Sequence, residues 1–222
     1  KMRMFNADGS EGKMCGNAIR CVGKYLYDFG KTDKRTLKIE TLSGVRTLFL
    51  NVEGGKVKSA RVDMGAAILK PADIPVDMEG DTVIGAPIVV DEKVYHMTCV
   101  SMGNPHCVIF LDEDIDGLDL ERIGPKFEHH ALFPERVNTE FVNVLPDGTL
   151  KMRVWERGSG ETWACGTGAC AVGVAAVLTG RAQKGEDITV HLRGGDLTVR
   201  YTDQTVFMTG AATTVFKGEI EL

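Results

Sequence analysis

Long apolar runs are missing from this chain. No stretch approaches the ~20 residues a bilayer-spanning helix needs, and the opening Lys1-Met2-Arg3-Met4-Phe5-Asn6 lacks the apolar centre of a signal peptide. A basic excess is missing as well. The 26 Lys and Arg are outnumbered by 31 Asp and Glu, for a formal net charge of -5. That argues against nucleic acid or an anionic membrane as the main partner, since both select a basic surface. Metal-ligand spacing is also absent: Cys15 to Cys21 and Cys165 to Cys170 are not CxxC pairs, and no histidine pair accompanies them. The six cysteines (15, 21, 99, 107, 165, 170) are neither dense nor patterned as a secreted disulfide framework. A reducing, cytoplasmic setting is expected. What remains is ordinary globular material, 43% apolar and 26% charged over 222 residues, enough for one large core or two smaller ones.

The chain repeats itself. Ser10-Glu11-Gly12-Lys13-Met14-Cys15-Gly16 aligns with Gly160-Glu161-Thr162-Trp163-Ala164-Cys165-Gly166, and the register continues through Val22-Gly23 on Val172-Gly173 and Gly30-Lys31 on Gly180-Arg181. Each of these pairs lies 150 positions apart. With one inserted residue, Leu37-Lys38-Ile39 falls on Ile188-Thr189-Val190 and Ser43-Gly44 on Gly194-Gly195. A duplication into two related lobes explains all of these at once. The expected lobes are residues 1–64 with 212–222, and residues 65–211.

Each repeat reads as a loop, a helix and then strands. Ile19, Val22, Leu26 and Phe29 recur at helical spacing before Gly30 stops the run. Ala169 to Leu178 is apolar all round, so its helix must be enclosed on every side. Strands are expected at 35–42, 45–52, 56–63, 94–102, 107–111, 139–145, 149–156, 187–193, 196–202 and 204–209, where Val, Thr, Ile and Phe concentrate. Gly54-Gly55, Asp147-Gly148 and Gly194-Gly195 supply the turns. The fold class expected is α/β (α+β): two pseudo-symmetric lobes, each a curled, mostly antiparallel sheet around a central helix. About a hundred residues precede Cys165 in its lobe but only fourteen precede Cys15, so the first lobe is expected to lack its opening strands. Thr213 to Leu222 reads as a further strand that crosses back to that lobe.

Cys15 and Cys165 each stand at the first turn of an expected helix, beside residues that permit close ligand approach. Backbone N–H groups and the helix dipole there favour a thiolate and bind a carboxylate. A thiol beside a carboxylate cradle suits proton transfer at the carbon alpha to that carboxylate. Two such thiols, on opposite faces of one carbon, meet the requirement of stereoinversion. Taken singly, each cysteine reads better as a buried structural residue; the duplicated context reverses that. A redox dithiol remains a rival, as does a non-catalytic protein with a structural Cys15–Cys165 disulfide. Cys21, Cys170, Cys99 and Cys107 read as packing residues.

The segments Asn-Ala-Asp-Gly-Ser-Glu-Gly-Lys-Met-Cys-Gly-Asn (6–17) and Trp-Glu-Arg-Gly-Ser-Gly-Glu-Thr-Trp-Ala-Cys-Gly-Thr-Gly (155–168) resemble the two active-site signatures of the diaminopimelate epimerase family. Ser101-Met102-Gly103-Asn104-Pro105-His106 and Arg136-Val137-Asn138-Thr139-Glu140-Phe141 resemble two further segments of it. The resemblance implies an isomerase that interconverts LL- and meso-diaminopimelate with two bases and no cofactor, in lysine and cell-wall precursor biosynthesis. It implies Cys15 and Cys165 as the acid/base pair, with the site between the lobes. Gly16, Asn17, Gly166 and Thr167 would hold the reacting α-carboxylate. Asn6, Asn104, Asn138 and Arg157 would clamp the distal amino-acid end, and Glu156 and His106 would lie by the reacting amine or thiols. The expected partner is that small molecule, with neither nucleic acid nor membrane, and a homodimer is compatible with the sequence. A related racemase with another substrate is the nearest alternative. The family also draws polar ligands from an earlier part of its first lobe, and no residue among these 222 matches them, so this stretch alone is not expected to be active.

Overall fold

The structure, a computed structural model, describes residues 1–5, 9, 11, 12 and 14–220. It divides into two compact units, Lys1–Val62 with Thr209–Leu222, and Asp63–Met208. No helix among the described residues is long and apolar enough to cross a membrane.

In the smaller unit, strands β1 (Met4–Phe5) and β2 (Glu11–Gly12) pair antiparallel ahead of helix α1 (Gly16–Asp28). Then β3 (Thr36–Thr41), β4 (Gly44–Glu53) and β5 (Lys56–Asp63) form an antiparallel meander. Along β3 the buried residues Leu37, Ile39 and Thr41 alternate with exposed ones, the period of a half-buried strand. Gly44 turns the β3–β4 hairpin with a φ of 99°, a conformation glycine adopts without steric cost. Helix α1 lies close on β4: a Cβ at Gly23 would come 2.9 Å from Leu48 and 3.0 Å from Leu50. Phe29, expected on the buried stripe, is instead 58% exposed, and Cys21 is exposed as well. The buried face of α1 is the narrow row Gly16, Ile19, Arg20 and Gly23.

The larger unit contains β6 (Ala86–Val90), β7 (Lys93–Ser101), β8 (Pro105–Phe110), α2 (Leu120–Glu128), β9 (Asn138–Val144), β10 (Leu150–Glu156), β11 (Gly160–Thr162), α3 (Gly166–Leu178), β12 (Ile188–Leu192) and β13 (Gly195–Tyr201). The boundary between units falls within β14 (Val206–Ala211). The strand order is β6-β7-β8-β9-β10-β12-β13-β14, with β11 paired to β10. Strands β8–β9 and β10–β12 run parallel, whereas β6–β7, β7–β8, β9–β10 and β12–β13 run antiparallel.

Helix α3 touches β7, β8 and β9 on one flank and β12 and β13 on the other, so the sheet curls around it. Every residue from Gly168 to Ala176 is buried, as a helix without a polar face requires. A Cβ at Gly173 would stand 2.5 Å from Val199 Cγ1, so glycine sets the approach of α3 to β13.

Helix α2 covers the opposite face of β9 and β10. Its Phe127 meets Phe141 edge-on at 5.3 Å and Tyr95 at 5.2 Å. Covered on both faces, β9 is buried from Asn138 through Val142. Cys99 and Cys107 oppose each other across β7 and β8 and are buried, as is Cys170. The segment from Thr213 forms no strand through residue 220, contrary to expectation. Ala212 N–H donates to Lys58 O at 3.1 Å, but Val215, Phe216 and Ile220 beyond it are 82–88% exposed.

Candidate active site

The two repeats begin their helices in the same way. Cys15 (φ −131°, ψ 117°) and Cys165 (φ −115°, ψ 109°) are extended N-cap residues whose sulfurs accept a backbone N–H three positions on. Ala18 N donates to Cys15 Sγ at 3.5 Å and Gly168 N to Cys165 Sγ at 3.3 Å. The helices also end alike. Lys31 N donates to Leu26 O at 2.9 Å and Arg181 N to Ala176 O at 2.8 Å, after Gly30 and Gly180 with φ of 66° and 73°. This is the six-to-one closure glycine makes at a helix C-terminus. All six cysteines are free thiols.

Cys165 is only 5% exposed. Burial, and then the charges of Glu156 and Glu140, push its thiol well above the usual range. The Thr167 hydroxyl and the Gly168 N–H pull the other way without prevailing. The expectation that a helix start favours the thiolate is therefore reversed at Cys165, because desolvation outweighs a weak cap. Cys165 rests as a thiol.

A chain of polar side chains leads away from that sulfur. Thr167 Oγ1 lies 3.5 Å from Cys165 Sγ, and Asn104 Nδ2 donates to Thr167 Oγ1 at 3.3 Å. Asn104 Oδ1 is 3.1 Å from His106 Nε2, and His106 Nδ1 is 2.7 Å from Glu140 Oε1. Strand β8 carries His106 into the interior, where neither it nor Glu140 has any exposed surface. Gly168 makes room for the carboxyl, since a Cβ there would fall 2.6 Å from Glu140 Oε1.

Asn138 is 4% exposed and both ends of its amide are held by backbone. Its Nδ2 donates to Pro105 O at 2.9 Å, and its Oδ1 accepts from Arg157 N at 2.8 Å. Arg157 Nη1 donates to Glu135 O at 2.8 Å, and the residue is exposed. Glu156, the last residue of β10, accepts from the Thr162 hydroxyl of β11. Gly166 is buried at the start of α3.

The Glu156–Arg157 turn is clamped from behind by Glu128, which accepts from Trp155 Nε1 at 2.7 Å and from Gly158 N at 2.9 Å. In the smaller unit, Gly16 is buried at the start of α1, and Asn17 Oδ1 accepts from Arg20 at 3.1 Å. Asn6 lies outside the described residues. The larger unit thus brings Cys165, Thr167, Asn104 and His106 into one chain and holds Asn138 against Arg157.

Glu140 and Glu128 were not singled out from sequence as site residues. Glu140 did leave a signal, a lone charge in the apolar strand 139–145. Among the described residues, no group of three or more His, Cys, Asp or Glu side chains could hold a metal ion.

A family model described as diaminopimelate epimerase matches residues 1–70 and 98–215. The chain is 55% identical over 224 residues to diaminopimelate epimerase of Acetivibrio thermocellus, covering 100% of this chain and 79% of that protein. Against diaminopimelate epimerase of Methanococcus maripaludis the identity is again 55%, covering 100% of this chain and 80% of that one. Among solved structures, a hydroxyproline epimerase from Agrobacterium vitis superposes with a TM-score of 0.70 at 15% identity, over 94% of this chain and 67% of that one. A phenazine biosynthesis protein of Bacillus anthracis does so with a TM-score of 0.65 at 17% identity, over 94% and 76%. The distant structures establish the sheet-wrapped-helix fold; the family match and the two relatives go further. The chain belongs to the diaminopimelate epimerase family.

Proposed function

We propose that the protein is an isomerase that epimerises LL-diaminopimelate to meso-diaminopimelate without pyridoxal or any other cofactor, using Cys15 and Cys165 as its acid/base pair. The observation that carries this reading is the matched pair of cysteine N-caps, each beside a glycine and a hydrogen-bonding side chain: Gly16-Asn17 and Gly166-Thr167. A helix start of this kind offers N–H groups to an α-carboxylate. It also sets the thiol beside the α-carbon, where one thiolate takes the proton and the other thiol returns one.

Cys165, resting as a thiol, serves as the proton donor when Cys15 acts as base, and as the base in the reverse direction. Gly16, Asn17, Gly166 and Thr167 hold the reacting carboxylate. Asn6, Asn104, Asn138 and Arg157 recognise the second amino-acid head, with the planar guanidinium of Arg157 suited to its carboxylate. Glu156 and His106 lie by the reacting amine or the thiols. The setting is cytoplasmic, where both thiols stay reduced.

The test follows solvent deuterium into the α-carbon of LL-diaminopimelate with the intact gene product in its reduced state. Exchange with formation of the meso isomer is expected. Cys165→Ala and Cys15→Ala should each lower the rate at least ~100-fold, the scale of one general acid or base. No exchange by the reduced protein, or undiminished exchange in Cys165→Ala, rejects the reading. Exchange on a different amino acid alone would move the substrate assignment and leave the two-thiol chemistry standing.

A further inference from the structure

The chain from Glu140 to Cys165 has a direction, and it is set in the middle. Asn104 turns Oδ1, an acceptor only, toward His106 Nε2, and Nδ2, a donor only, toward Thr167 Oγ1. His106 Nε2 must therefore carry a hydrogen. Thr167, already receiving from Asn104, has its own hydroxyl hydrogen to direct at Cys165 Sγ, 3.5 Å away. The far end is Glu140, whose Oε1 sits 2.7 Å from His106 Nδ1.

We propose that Glu140 is a positioning residue for proton transfer at Cys165: by holding His106 as its Nε2–H form it orders Asn104 and Thr167 so that a hydroxyl donates to the sulfur. The proposal rests on Cys165 being an acid/base thiol. An imidazole without a partner at Nδ1 is free to place its proton there, and a bare Nε2 would then face Asn104 Oδ1, acceptor against acceptor. A protonated carboxyl donating to Nδ1 removes that choice; the ionised carboxylate of a catalytic triad fixes the opposite, Nδ1–H, tautomer.

In this proposal the Glu140 carboxyl is in its protonated form, so that Oε1–H donates to His106 Nδ1. Its Oε2 is buried with no hydrogen-bond partner, a poor place for a full carboxylate charge. Burial also raises its pKa against the opposing pull of His106. The groups facing it are His106 and Cys107 of β8, Glu156 of β10 and Cys165 of α3. Glu156 acts in the same sense as burial.

The experiment reads the pH midpoint of Cys165 thiolate formation, by ultraviolet thiolate absorbance taken as a difference from the same variant carrying Cys165→Ala. Glu140→Gln and Glu140→Leu both replace the carboxyl with a side chain that cannot ionise, but only glutamine can still donate to Nδ1. The Gln variant should therefore titrate about one pH unit below the Leu variant, the scale of one hydrogen bond to a thiolate. Thr167→Val should shift in the direction of Glu140→Leu, and the double variant no further than either. Equal midpoints in folded Gln and Leu variants, or additive shifts, overturn the proposal.

If the Leu variant does not fold, 15N spectra of the unaltered protein decide, with His106 assigned against His106→Gln. A proton on Nε2 is expected, and an Nδ1–H form with bare Nε2 overturns the proposal. Neither readout needs a substrate. Failure of diaminopimelate exchange with these signatures intact would count against the proposed function alone, and the converse against Glu140 alone.

Discussion

Gly124→Ala is the most informative packing change in the larger unit, because helix propensity and packing point in opposite directions. Alanine in the interior of α2 should gain about 1 kcal/mol over glycine. The added Cβ, however, would stand 2.3 Å from Trp155 Cδ2 and 2.5 Å from its Cγ. Those ring atoms lie next to the ring's own attachment, so the indole cannot swing clear by rotating its tip. Either α2 lifts or Trp155 shifts, at about 1–3 kcal/mol for overpacking. A shifted indole also stretches the Nε1–Glu128 hydrogen bond of 2.7 Å, whose loss leaves a buried carboxylate short of a donor, at about 1–3 kcal/mol. The balance is a net loss of about 3 kcal/mol, or roughly 6–12 °C in Tm for a chain of this size. Denaturant melts followed by tryptophan fluorescence measure it, since Trp155 is 7% exposed and Trp163, the other tryptophan, is 72% exposed. Gly117→Ala, where nothing lies within 4 Å of the new Cβ, is the control and should be nearly neutral. A Gly124→Ala protein as stable as its parent refutes the packing argument.

Gly173→Ala should cost about 2 kcal/mol through its clash with Val199, and in a Val199→Ala background it should become neutral or stabilising; a double-mutant cycle with no coupling contradicts this. Asp28 is held below the usual carboxylate range. Burial opposes its charge, but Lys24 at 2.7 Å, the Val57 N–H at 2.9 Å and Lys56 overcome it. Because the folded pKa is the lower one, its stabilisation is complete above the unfolded value and drains away as pH falls through the folded one. Acid melts should therefore show Asp28→Asn to be less stable by about 1–3 kcal/mol at neutral pH and to have a flatter acid limb; parallel limbs would contradict the assignment. Glu128→Gln should raise KM for diaminopimelate more than it lowers kcat, since it loosens the turn carrying Glu156 and Arg157. Unchanged kinetics would remove Glu128 from the support of the site.

Much of this was legible in the chain because two signals coincided. The offset repeat located both cysteine caps and both glycine stops, and concentrations of Val, Thr, Ile and Phe located the strands that became β3, β4, β5, β7 to β10 and β12 to β14. Helix α2 escaped because its nine residues include Pro125 and several charges, so the apolar face is three residues: Leu120, Ile123 and Phe127. Strand β6 was obscured by Pro87, and β11 is short and polar. The partner of Glu140 was illegible for a different reason. Only the parallel pairing of β8 with β9 puts His106 beside that carboxyl, and pairing between strands that are distant in sequence leaves no local mark. The direction of the Cys165 shift depended in the same way on how completely the sheet closes over the helix.

The enclosure of α3 also constrains how the protein is made. The chain leaves the ribosome N-terminus first, so β7, β8 and β9 exist before the helix, whereas β12 and β13 follow it. Until Tyr201 has emerged, one flank of an all-apolar helix has nothing to rest on. At ~5–20 residues per second the 23 residues from 179 to 201 take about 1–5 s, ample time for an exposed greasy segment to meet a neighbour or a chaperone. Slow codons just after Leu178 would prolong that bare interval and lower soluble yield, whereas the same codons placed after Tyr201 would act on a helix already covered.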